Sequence, residues 1–220
     1  NQPSLKNQWI IVDSFVPRKN KLDIYYTFRN LLAAKYLQKI YGFRIMAWIN
    51  PRHYQLKIVL SSFGVEKFIY HVDERIGLTQ DQESELEEFK SKANLENFKH
   101  LMKSFKTNNL HIGDLMYDCL LKQQCLSTPI FDKQVINHLE TGCRRVNFWK
   151  NILNSYDVKA VILGHIPQIR GILARLAIQR DVVVFGVKKG WLFRRYDTLD
   201  ELYDFPTFIS QELFQYFWNN

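Results

Sequence analysis

The chain is poor in the residues on which several common chemistries depend. It has nine glycines and six prolines in 220 residues, and the first strand-to-helix turn, Asp13-Ser14-Phe15-Val16-Pro17, contains no glycine. A dinucleotide fingerprint needs glycines at that turn so that the backbone can approach a pyrophosphate, and NAD binding is therefore disfavoured. No Walker-type phosphate loop and no GxSxG elbow occur, which disfavours a kinase, an ATPase and an α/β-hydrolase. The three cysteines, Cys119, Cys125 and Cys143, are odd in number and form no CxxC pair. They read as free thiols in a reducing cytosol and not as zinc ligands. Gly113-Asp114 and Gly164-His165 have no early Asp-x-His or Gly-Asn-His to complete a two-metal set, so no metal site and no cofactor is expected. No apolar run reaches the roughly 18 residues that a membrane span needs. No secretory signal is visible, and the expected location is cytoplasmic.

What the chain does have is apolar mass and positive charge. Apolar residues make up 46% and aromatics 15%, enough for a full core. The formal net charge is +8 and the isoelectric point near 9.3, which favours anionic partners. The cations are scattered, with short clusters at Arg18, Lys19 and Lys21, at Lys188-Lys189 and at Arg194-Arg195. A nucleic-acid reader would show a concentrated basic stripe or a recognition-helix motif, so nucleic acid is not expected. Acidic glycans, phosphates and an anionic membrane surface remain as partner classes.

The segment 159–187, KAVILGHIPQIRGILARLAIQRDVVVFGV, reads as strand, polar turn, helix and strand. Residues 160–163 and 182–187 are short, nearly unbroken apolar runs, as in parallel strands buried on both faces. Between them Ile169, Ile172, Leu173 and Leu176 recur at i, i+3, i+4 and i+7. The opening of the chain repeats this grammar. Strands are expected at 9–16, 43–49 and 65–72, with helices at 22–41 and 54–63 that end at Gly42 and Gly64. The middle reads as helical: 79–106, broken near Ala93-Asn94; a turn and helix over 108–121; and a helix over 132–156. Residues 197–204 and 206–218 also read as helix. The expectation is one α/β domain over residues 1–220, a Rossmann-like three-layer fold with a mostly parallel sheet and a helical insertion at about 79–156.

Open α/β sheets bind ligands outside the carboxyl ends of their strands. Asp13, at the end of the first strand, could act as a base or cap the following loop. His165 follows the strand at 160–163 and could be a base, an acceptor contact or a hydrogen-bonded turn residue. Gln168 and Arg170 fall just past the same strand end, with Arg170 in the first turn of the next helix, where backbone amides favour anions. Asn30 interrupts an apolar stripe, as a satisfied buried amide or as a cleft contact. Asp114 and Asp118 lie i, i+4 on one helix; Asp114 could cap it, while Tyr117 and Asp118 could line a cleft.

IGDLMYDCLL at 112–121, TPIFD at 128–132 and KAVILGHIPQIRGILARLAI at 159–178 resemble bacterial surface-carbohydrate biosynthesis proteins, glycosyltransferases of the GT-B type. TFRNLLAAKYLQKIYGFRIMAWI at 27–49 is similar to the opening helix and strand of that family. The GDLxYD box is distinctive; the βαβ patterns are common. Family members continue into a second Rossmann-like domain that this sequence does not contain, and Leu121-Lys122 stands where an arginine is usual. The resemblance implies an amino-terminal half that holds a glycan or glycolipid acceptor. The nucleotide-sugar would be held by the missing carboxyl-terminal domain. His165 and Asp13 would be the catalytic candidates, and Asn30, Tyr117, Asp118, Gln168 and Arg170 would bind acceptor. The resemblance also implies a metal-independent reaction in the cytoplasm, at or near the inner membrane. The alternative is a non-catalytic Rossmann-like binding or assembly module.

Overall fold

The computed structural model describes residues 7–14, 23–50, 54–70, 76–124, 133–164, 166, 169–187 and 193–203. The amino-terminal part alternates strands and helices: β1 (Trp9–Asp13), α1 (Asp23–Tyr41), β2 (Arg44–Ile49), α2 (Tyr54–Ser62) and β3 (Val65–Tyr70). The helical middle follows, with α3 (Gln80–Lys92), α4 (Phe98–Ser104), the short hairpin β4 (Lys106–Thr107) and β5 (Leu110–His111), α5 (Gly113–Gln124) and α6 (Lys133–Ser155). The last part comprises β6 (Val158–Leu163), α7 (Ile169–Ile178), β7 (Val183–Val187), β8 (Phe193–Tyr196) and α8 (Leu199–Tyr203).

The five strands read from the sequence lie in one six-stranded sheet, in the order β3-β2-β1-β6-β7-β8. Every pairing in it is parallel except that of β8 with β7. The architecture is thus mixed α/β with a mostly parallel sheet, compatible with a Rossmann-like fold. The strand expected over 9–16 ends at Asp13, although Ser14 still donates its N–H to the Trp48 carbonyl at 3.0 Å. The later residues of that expected strand, and of the one over 65–72, lie outside the described residues.

Local chemistry sets the boundaries. Gly42, at φ 73°, ends α1, and its N–H reaches the Gln38 carbonyl at 2.8 Å. Thr79 and Gln82 form a reciprocal capping box at the start of α3. The break between α3 and α4 falls where expected. There Asn94 accepts backbone N–H groups from Glu96 and Asn97, and the Asn97 amide donates to the Lys92 carbonyl, so side chains replace helical bonds. The turn expected near 108 is a tight hairpin: Asn108 and Asn109 take φ of 50° and 61°, which asparagine tolerates. The sequence reading missed β8, because Phe193–Tyr196 carries two arginines and pairs as a half-exposed edge strand. Of the two helices expected near the carboxyl end, one is the short α8; residues 206–218 lie outside the described set.

Successive β1 residues face opposite ways, as the pleat requires. Trp9 and Ile11 join the core formed with α3 to α7, while Ile10 and Val12 join the one formed with α1 and α2. The sheet is therefore covered by helices on both sides. The helical middle builds the larger core, in which Trp149 of α6 meets Trp48 of β2 edge-to-face at 4.9 Å.

Candidate functional site

The strand order reverses its direction of growth between β1 and β6. From β1 the chain adds strands on one side (β2, β3); it then crosses over and adds β6, β7 and β8 on the other. The two crossover helices, α1 and α7, leave on opposite faces, the arrangement in which open α/β sheets bind ligands outside the strands' carboxyl ends, here those of β1 and β6.

Asp13 ends β1 at this point and is almost wholly buried. Its carboxylate faces the α7 side, where Oδ2 accepts from Nε of Arg170 and from the Gly164 backbone N–H at 3.3 Å. Arg170 belongs to the first turn of α7, and 18% of its side chain stays accessible. On the other face, Asn30 of α1 donates its amide to the Asp13 carbonyl at 2.9 Å. Three residues singled out from the sequence, Asp13, Asn30 and Arg170, thus meet at the end of β1. Pairing with a guanidinium and a backbone amide offsets the desolvation of the buried carboxylate.

One participant was missed. Ser14 follows Asp13 and by alternation faces the α1 side. Its Oγ and the Oδ1 of Asn30 are buried side-chain atoms with no hydrogen-bond partner among the described residues. A buried polar atom left unpaired costs about 1–3 kcal/mol, so a polar group entering at this strand end would gain by bonding to these two. The available signal was a small polar residue directly after an apolar strand.

His165 and Gln168 lie outside the described residues. Tyr117 and Asp118 lie on α5. Among the described residues no hydrogen bond or ion pair joins them to Asp13, Asn30 or Arg170. They belong to a joint between α4, α5 and α7. Arg175 of α7, buried, forms a bidentate pair with Asp114 at 2.7 and 2.5 Å and donates to the His111 carbonyl at 2.6 Å. Lys103 lies over the Tyr117 ring, 4.5 Å from its centroid. Burial, and then the neighbouring Asp114 carboxylate, push the Asp118 carboxyl above its ordinary range. Gly113 allows this joint to close, because a Cβ there would lie 1.7 Å from the Met102 carbonyl oxygen. Gly171 plays the same part on α7, where a Cβ would meet Leu115 at 2.7 Å. The GDLMYD box thus has a packing role that accounts for its glycine and first aspartate.

Cys119 and Cys143 are free thiols, and burial raises them to about 11 and about 12, so neither is a ready nucleophile. Comparison with described protein families, with curated proteins and with solved structures finds no match to this chain.

Proposed function

We propose that this chain is a Rossmann-like, acceptor-binding half of a sugar-nucleotide-dependent glycosyltransferase that acts in surface polysaccharide synthesis. The observation that carries the reading is the cluster at the carboxyl ends of β1 and β6. There a paired Asp13 and Arg170 lie at one strand end with the unsatisfied Ser14 hydroxyl and Asn30 carbonyl oxygen. Arg170 and the amides of the first α7 turn offer positive charge to an anionic acceptor. Ser14 and Asn30 offer partners for its hydroxyls. In this reading Asp13 positions Arg170 through its Oδ2. The base is His165, next in sequence after Gly164, which takes the proton of the acceptor hydroxyl as it attacks the sugar. Tyr117 and Asp118 support α5 more than they touch acceptor. The donor, a nucleotide-sugar, is held by a second domain outside this sequence.

The test is binding of acidic and neutral oligosaccharides to the chain by saturation-transfer NMR, together with a mass-spectrometric screen for transfer from sugar nucleotides. Acidic oligosaccharides should bind. Arg170→Gln should weaken them about tenfold, as loss of a charge-assisted contact does. The chain alone should transfer nothing. Robust transfer by these residues, or glycan binding indifferent to Arg170→Gln, would overturn the assignment.

A second reading, a non-catalytic binding or assembly module, is favoured by the mutual pairing of Asp13 and Arg170, which is also what a structural tie would look like. Turnover by the full natural gene product separates the two.

A further inference from the structure

The α1–α2 layer is apolar on the side that faces away from the sheet. On α1, Leu32, Tyr36 and Ile40 repeat at i, i+4 and i+8 and are 63%, 66% and 47% exposed. They point opposite to Leu31 and Ala34, which are buried against the sheet. On α2, Ile58 is 56% exposed, and Phe28 of α1 meets Phe63, just past the end of α2, with ring centroids 5.7 Å apart. Large apolar side chains exposed in such a row on one helix face suit an interaction site.

The charge of the same region identifies the partner. Between Asp23 and Glu66 there is no Asp or Glu; of the six Lys and Arg there, Arg29 is buried and Arg44 pairs with Glu66, while Lys35 and Lys39 lie on α1 itself. Lys35 and Lys39 flank the exposed α1 stripe. A second copy docked through this face by two-fold symmetry would place its cations against these cations with no acid to answer them. An anionic bilayer supplies both an apolar interior for Leu32, Tyr36 and Ile58 and headgroup charge for the lysines, whose stems can lie along the apolar surface. Tyrosine is a side chain favoured at the membrane–water interface. Among the described residues no helix is long and apolar enough to cross a membrane.

We propose that the outer face of α1 and α2 docks on an anionic lipid surface, with both helices lying in its plane. The sheet then stands roughly one helix diameter, about 10 Å, above the headgroups, and the β1/β6 carboxyl edge opens sideways over them. The surface is inferred from exposure and charge alone and holds whether or not the chain serves a glycosyltransferase.

The test is co-sedimentation of the whole chain with phosphatidylcholine vesicles and with vesicles that carry roughly one-third phosphatidylglycerol, a typical anionic surface. Binding should require the anionic lipid and fall as salt screens it. The pairs Leu32→Ser/Tyr36→Ser and Lys35→Glu/Lys39→Glu should each weaken binding at least about tenfold. Lys90→Glu/Lys92→Glu, on the opposite layer, should change it little. The salt titration of the unaltered chain tests the proposal even if a variant folds poorly. Absence of binding to anionic vesicles, binding that ignores both pairs, or self-association abolished by Leu32→Ser/Tyr36→Ser would each overturn it.

Discussion

The two helical layers solve the same problem differently. On one face of the sheet, α6 buries Val135, Leu139, Cys143, Val146 and Trp149 as a single stripe, and its neighbour α3 turns Asp81, Glu83, Glu87 and Glu88 to solvent. On the other face, α1 buries Leu31 and Ala34 yet keeps Leu32, Tyr36 and Ile40 outside. One apolar stripe suffices to seat a helix on a sheet. The second stripe of α1 is therefore surplus to the fold, and the contrast separates side chains that hold the domain together from side chains that wait for something else.

Substitutions can break that contrast. The largest effect should come from Trp149→Ala, which removes a fully buried ring from the larger core and should cost about 3–5 kcal/mol in urea unfolding. Leu32→Ser, its counterpart on the outer side of α1, should stay within about 0.5 kcal/mol. A Leu32→Ser loss as large as that of Trp149→Ala would place Leu32 in the core and erase the distinction.

Next in size is Arg175→Ala. It strands the Asp114 carboxylate and the His111 carbonyl at the α4–α5–α7 joint and should cost about 3 kcal/mol by calorimetry. Arg175→Lys should recover little, because an ammonium cannot reproduce the two-pronged contact. If Arg175→Ala were neutral, the GDLMYD box would need an explanation other than packing.

The smallest effect concerns Asp118. Burial first, and the Asp114 carboxylate second, make this group harder to ionise in the fold than in the unfolded chain. Its contribution to stability is whole below the ordinary carboxyl range, at about pH 4, and is lost as pH rises through the raised folded value. Asp118→Asn should therefore show a flatter melting temperature from about pH 4 upward and a slightly higher one at neutral pH. A lower melting temperature at neutral pH would show that the charged form is the one the fold prefers.

Much of the frame was legible because its signals are local. Apolar strand runs and Gly42 and Gly64 at helix ends each act within a few residues, so the sheet strands and the first helices could be read directly. The edge strand β8 was not, since a half-exposed Phe-Arg-Arg-Tyr carries no periodic signature apart from the β7 partner that orders it. At the candidate site, the strand-end rule located Asp13, Asn30 and Arg170, but not the salt bridge that ties Asp13 down. Tyr117 and Asp118 share a motif with Asp114, whose partner, Arg175, lies 61 residues away in sequence, too far for spacing to reveal.

The pairing of β1 with β6 has a consequence for when the site can exist. Asp13 and Gly164 are 151 positions apart, and Arg170 is 157 from Asp13. Closing so long a loop is slow, and local units form before it. The first βαβαβ unit leaves the ribosome with one edge of β1 unpaired, and it stays so until β6 and α7 have been made and the helical middle has folded back. No form of the chain that stops before α7 brings the aspartate, the glycine amide and the arginine together. The Asp13–Arg170 pair thus forms only once β6 and α7 have joined β1, so it reports on that long-range closure.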